Sequence, residues 1–172
     1  MGIAILPEDC DIQLKDAMLG IASETYSCAS SPIQYAAITA YSNNVTMSLY
    51  VQHQRTILKV VGLYIHKAVI DAGLHAHAPE GGFYLLLDFI SYRQSLQAIG
   101  LNTDSEICNR VLEDVGVALL PGISFGLSPK ALCARLAYVD FDGTLALEDI
   151  SEGEWSETLT IKLASYTHPR AH

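Results

Sequence analysis

Arg135 is the charge in this sequence with the most specific chemistry to offer. It stands inside Ala134-Arg135-Leu136-Ala137-Tyr138-Val139, an apolar run that reads as a strand. A guanidinium without a partner is costly in such a setting, so the residue is expected to meet a carboxylate, with Asp88 and Asp140 the candidates within the chain. The histidines are less specific. His75-Ala76-His77 places two imidazoles on one face of an extended segment, but no carboxylate or cysteine stands nearby in sequence to complete a metal site, and an ordinary surface strand is expected. His53 and His66 lie too far apart on one helix for the i, i+4 spacing of shared ligands. Cys10, Cys28, Cys108 and Cys133 show no C-x-x-C spacing, which predicts thiols that are neither zinc ligands nor a disulfide framework.

The elements that must position these residues begin with helices. Pro7 to Ser23 carries Leu14, Met18 and Ile21 at helical spacing behind an acidic start. Ser31-Pro32 reads as an N-cap and first-turn proline of a short second helix with Ile33, Ala36, Ala37 and Ala40 on one side. A long helix follows from about Val45 to Ala72, stopped by Gly73. Beyond it the pattern becomes α+β. Leu74 to Ala78, Gly82 to Phe89, Val117 to Leu120 and Leu132 to Val139 read as short strands. Thr103-Asp104-Ser105-Glu106 is a capping box that opens a helix ending before Gly116. Past Gly143 the periodicity weakens, and Trp155 to Ala164 is a diluted helical pattern.

Composition narrows the function classes. The 172 residues are half apolar and carry ten Lys+Arg against nineteen Asp+Glu, a net charge of −9 that repels phosphate backbones and anionic headgroups. Neither nucleic acid nor a membrane surface is an expected partner. No apolar stretch approaches the roughly 18–20 residues of a membrane span, and the first residues lack the basic flank of a signal peptide, so a cytoplasmic location is expected. A mean hydropathy of +0.25 is high for a soluble chain of this size, which suggests apolar surface to be covered by a partner.

Two segments resemble known families. Val139-Asp140-Phe141-Asp142-Gly143-Thr144 resembles the first motif of haloacid-dehalogenase-like phosphatases, where the first Asp would attack phosphorus and the second act as acid and base. The residues after Thr144 are too few for the doubly wound sheet that this chemistry requires, so a turn at a strand end is expected instead. More extensive is the series Thr25-Tyr26-Ser27-Cys28-Ala29-Ser30-Ser31-Pro32-Ile33-Gln34-Tyr35-Ala36-Ala37, Pro79-Glu80-Gly81-Gly82-Phe83-Tyr84-Leu85, Leu120-Pro121-Gly122-Ile123-Ser124-Phe125-Gly126 and the Arg135 strand. In this order and with these gaps it resembles the C-terminal part of class I/II aminotransferases, the pyridoxal-phosphate enzymes of fold type I, over about residues 3 to 148.

That resemblance implies an α+β fold, a small C-terminal domain with helices on a small mixed or antiparallel sheet, preceded by helices from the end of the large domain. Residues 1–44 would be those terminal helices, 45–72 the connecting helix and 73–150 the small domain, with 151–172 unassigned. It implies that Arg135 clamps the α-carboxylate of an amino acid or 2-oxo acid substrate, and that the cofactor is pyridoxal 5′-phosphate. The Schiff-base lysine and the cofactor's phosphate-binding arginine would precede Met1, and Lys15, Lys59, Lys67, Lys130 and Lys162 lie in contexts unlike that loop. The chain is therefore expected to be a fragment inactive by itself, completed by a large-domain chain or within a homodimer. A non-catalytic remnant or the partner-binding half of a split enzyme is the alternative.

Overall fold

The structure, a computed structural model, describes residues 3–42 and 44–152. The described residues fall into two compact units that meet in sequence between Leu49 and Tyr50.

The first unit holds helices α1 (Ile12–Thr25) and α2 (Ser31–Ala40). Asp11 caps α1 by accepting from the Gln13 N–H at 2.8 Å. The cap of α2 is Ser30, one residue earlier than the sequence suggested, with Pro32 in the first turn where its missing N–H costs nothing. Neither helix has a buried residue, and Ile12, Leu14, Leu19, Ile21, Ile33, Tyr35 and Ile38 are all exposed. The spacing noted in the sequence is real, but it marks apolar faces that these residues leave open.

Helix α3 (Val45–Asp71) crosses from one unit to the other. Asn44 opens it by accepting from the Met47 N–H at 2.8 Å, and Gly73, at φ +82°, closes it in the left-handed conformation that glycine adopts without strain. In the second unit follow β1 (Tyr84–Asp88), α4 (Arg93–Ala98), α5 (Asp104–Val115), β2 (Leu120–Pro121), β3 (Cys133–Ala137) and α6 (Gly143–Glu152). The three strands form one antiparallel sheet in the order β1-β3-β2, with Leu86 and Leu120 both opposite Arg135. Gly82 to Phe89 and Leu132 to Val139 thus belong to one sheet, as expected.

Strand alternation divides the sheet into two faces. Leu85 and Leu87 are buried with Ile57, Val60 and Val61 of α3, Ala146 and Ile150 of α6, and Tyr138. The Tyr138 hydroxyl donates to the Gly82 carbonyl at 3.1 Å, and an added Cβ at Gly62 would fall 2.8 Å from that hydroxyl, so glycine lets α3 approach the ring.

Three expectations need correction. Leu74 to Ala78 is no strand: only an isolated bridge joins His75 to Asp88. The predicted strand at Val117 begins only at Leu120, because Gly116, at φ +71°, ends α5 and the following residues serve as its exit. Residues 143–152, where periodicity seemed weak, form α6, because Asp142 supplies a cap and Ala146 and Ile150 supply a narrow buried stripe. Trp155 to Ala164 lies outside the described residues.

The capping box is formed as written in the sequence. Thr103 Oγ1 accepts from the Glu106 N–H at 3.3 Å, and Glu106 Oε2 accepts from the Asn102 and Thr103 N–H groups at 2.7 and 2.9 Å. The Asn102 N–H, then the bonds with Thr103, hold the Glu106 carboxyl below the usual glutamate range. A carboxyl whose folded pKa is depressed contributes stability above its unfolded value and loses it as pH falls through the folded value. Denaturant titrations from neutral to acid pH are expected to show this loss below the ordinary glutamate pKa. In Glu106→Gln, which keeps the acceptor without titrating, that part of the acid slope should disappear.

Candidate functional site

On the sheet face opposite the core, Arg135 lies between Leu86 of β1 and Leu120 of β2, with Tyr84 two residues from Leu86 on the same side. The two faces differ sharply: Leu85 is 2% exposed and its neighbour Leu86 47%. The chain supplies the arginine's neighbours through two different devices. Period-2 alternation brings up Tyr84, and a short turn after β2, Gly122–Phe125 in 3₁₀ conformation, brings up Phe125. The Arg135 Cζ sits 4.1 Å from the centroid of the Tyr84 ring and 4.5 Å from that of Phe125. Cation–π contacts of this kind contribute about 0.5–1 kcal/mol at exposed sites and more where water is excluded.

The expected carboxylate partner within the chain is absent. Asp88 shares the face, opposite Cys133, but its Oδ1 accepts from the Ile90 N–H at 2.7 Å, and Asp140 is exposed elsewhere. Among the described residues no carboxylate pairs with Arg135 and no acceptor takes any guanidinium N–H. The cost that motivated the expectation is smaller than it seemed, because the guanidinium is only half-buried and rests against aromatic rings. Tyr84 and Phe125 were missed as its neighbours, although both stand in quoted motifs; pairing Leu86 and Leu120 with Arg135 would have revealed Tyr84.

The other residues singled out carry less. His75 and His77 are exposed, His66 Nε2 lies 3.1 Å from the Ala76 carbonyl, and no group of three ligating side chains occurs among the described residues. Burial, then the Asp104 carboxylate, pushes the Cys108 thiol up, and burial does the same to Cys133, which keeps both poor nucleophiles. Gly81 and Gly82 have open space among the described residues where a Cβ would stand, and Gly82 is needed for its φ of +67°. The Glu80-Gly81-Gly82 turn borders a cleft of about 500 Å³ shared with Arg55, Lys59 and Tyr138. No described helix is long and apolar enough to cross a membrane.

Asp140 and Asp142 resolve into a turn. Asp142 Oδ1 accepts from the N–H groups of Thr144 and Leu145, both at 3.1 Å, as the N-cap of α6. Asp142→Asn, an equally good cap, is expected to leave α6 intact, whereas Asp142→Ala should cost about 1 kcal/mol in chemical denaturation. A phosphatase role would make the two substitutions equally damaging to activity.

The sequence profile for "Aminotransferase class I and II" matches residues 1–140. The chain belongs to this family. The aspartate aminotransferase of Rhizobium meliloti is 30% identical over 139 residues, which cover 78% of this chain and 33% of the relative. The probable N-acetyl-LL-diaminopimelate aminotransferase of Bacillus subtilis (strain 168) is 30% identical over 153 residues, 89% of this chain and 34% of the relative. Among solved structures, an aspartate aminotransferase of Thermotoga maritima superimposes with a TM-score of 0.55 at 27% identity, over 81% of this chain and 32% of that one. The Thermus thermophilus aspartate aminotransferase with maleate gives 0.60 at 21% identity, over 90% and 34%. The chain spans about a third of the length of the relatives it matches, and its helices and three-stranded sheet have the architecture of the corresponding part of the fold type I enzymes.

The aminotransferase family implies pyridoxal phosphate as cofactor. The described lysines do not fit it. Lys67 is exposed and paired with Asp71 at 2.6 Å, and Lys15, Lys59 and Lys130 are exposed. All four are exposed, whereas a lysine that carries the cofactor is enclosed with it.

Proposed function

We propose that this chain supplies the substrate-carboxylate site of a pyridoxal-phosphate-dependent aminotransferase, with Arg135 as the residue that holds the α-carboxylate of an amino acid or 2-oxo acid. The observation that carries this reading is the arginine on the open sheet face, with rings against its guanidinium and every guanidinium N–H free of a described acceptor. Its planar fork matches a carboxylate through two parallel charge-assisted bonds, which fix orientation as well as charge. The neighbouring Leu86 and Leu120 are apolar and exclude competing water once the face is covered. Residues 1–44 then correspond to the last helices of the large domain, 45–72 to the connecting helix and 73–150 to the small domain. The Schiff-base lysine belongs to the two thirds of the relatives' length that this chain does not span.

The test is complementation. The unmatched two thirds of a related aspartate aminotransferase, expressed separately, is mixed with this chain and pyridoxal phosphate, and amino transfer is followed between aspartate and a 2-oxo acid. Activity is expected from the mixture and from neither component alone. Borohydride reduction of the chain with pyridoxal phosphate should label no lysine stoichiometrically; a saturable adduct on one lysine would overturn the reading.

A partner is part of the proposal, either a complementing large domain or a second copy in a homodimer. The open apolar faces of α1 and α2 support it, since roughly 25 cal/mol is forgone per Å² of apolar surface left wet. Sedimentation of the chain alone is expected to show self-association that falls when the complementing part is added. A monomer that binds no hydrophobic dye would count against this.

A further inference from the structure

Asp104 is the sole buried charged side chain among the described residues, 1% exposed, and the proposed site leaves it without a task. It is the first residue of α5, yet it is not the cap: Thr103 and Glu106 form the capping box themselves. Its carboxylate instead reaches across the chain: Oδ2 accepts from the Ile123 N–H at 2.9 Å, while Oδ1 takes the Ser105 hydroxyl at 3.3 Å. Ile123 lies in the Gly122–Phe125 turn. The same turn is pressed against the sheet, for a Cβ at Gly122 would stand 3.1 Å from the Cys133 carbonyl and 3.3 Å from Asp104 Oδ2. The Phe125 ring at the end of this turn is 46% exposed and lies against the Arg135 guanidinium. A buried carboxylate is costly unless hydrogen-bonded, so one that bonds a backbone N–H in another element fixes where that element sits.

We propose that Asp104 is a positioning residue for the carboxylate site: by holding the Ile123 N–H it sets the turn that places Phe125 on Arg135 and so orients the guanidinium. The role rests on the reading of Arg135 as the substrate-carboxylate ligand, but the placement of the guanidinium can be measured without substrate. Arg135 side-chain protons beside aromatic rings carry ring-current shifts, visible in the Nε–Hε correlation of the full chain labelled with ¹⁵N.

Asp104→Ala is expected to move the Arg135 signal toward that of a ring-free arginine by about as much as Phe125→Leu does, with Leu85 and Leu87 methyl signals in place. Asp104→Asn, which retains a carbonyl acceptor for Ile123, should restore most of the native shift. In Phe125→Leu, adding Asp104→Ala should move the signal no further, since coupled residues are not additive. Should Asp104→Ala fail to fold, Asp104→Ser, polar but too short to reach Ile123, takes its place in the same comparison. An Arg135 signal unmoved by the shortened side chain in a folded protein would overturn the proposal. If the signal moves as expected but Arg135→Lys leaves substrate affinity intact in the complemented enzyme, the carboxylate reading falls and Asp104 remains a support of the Arg135–Phe125 contact only.

Discussion

Arg135→Lys, in the enzyme completed by its missing part, is expected to weaken the apparent affinity for the amino acid or 2-oxo acid by about 2–3 kcal/mol, roughly 30- to 150-fold, with the cofactor spectrum unchanged. The substitution keeps the positive charge and loses the fork, so long-range attraction persists while the paired bonds to a carboxylate cannot form. Lysine also loses the flat surface that rests against Tyr84 and Phe125, leaving the ammonium free to swing on a flexible stem. The loss should appear in binding and in kcat/KM together, because an arginine that places the substrate over the reacting groups contributes to proximity. Substrate affinity within threefold of the parent would remove Arg135 from the site. The aromatic contact would then be its whole role.

Much of this arrangement was legible in the residues, and the reasons differ by element. The α5 start was readable because Thr103 and Glu106 act within one turn, so local spacing determines the bonds. The pairing of β1 with β3 was readable as two apolar runs of strand length, but their register was not, because a one-residue slip changes every facing pair and nothing local forbids it. Arg135 stands out in the sequence as the informative charge, and the fold adds its place opposite Leu86 and Leu120. Its surroundings were misjudged: an unpaired guanidinium in an apolar run was expected to meet a carboxylate of the chain, whereas Arg135 lies on the open side of the sheet against two rings. Phe125 and Asp104 reach the site through a turn and a bond spanning nineteen residues, contacts that no periodicity encodes. Helix α6 escaped notice because its buried stripe is narrow, Ala146 and Ile150, and its cap, Asp142, was read only as part of a turn at a strand end.

Leu85→Ala and Leu86→Ala, neighbours on one strand, are expected to differ in cost by several kcal/mol when unfolding of the chain is followed in urea. Leu85 is buried against α3 and α6, and truncating such a leucine removes transfer free energy and leaves a cavity, about 2–5 kcal/mol. Leu86, nearly half exposed beside Arg135, should cost about 0.5 kcal/mol or less. Since small domains have total stabilities on the order of 5–15 kcal/mol, the first change alone threatens the folded state, and a lower denaturation midpoint with an unchanged slope is the expected form. The comparison also bears on function. In the complemented enzyme Leu86 lies in the covered site, so Leu86→Ala should become the more damaging of the two for substrate affinity while remaining the milder for folding. Equal stability losses in the isolated chain would mean that the Arg135 face is already covered there, and the open site proposed for the carboxylate would have to be abandoned.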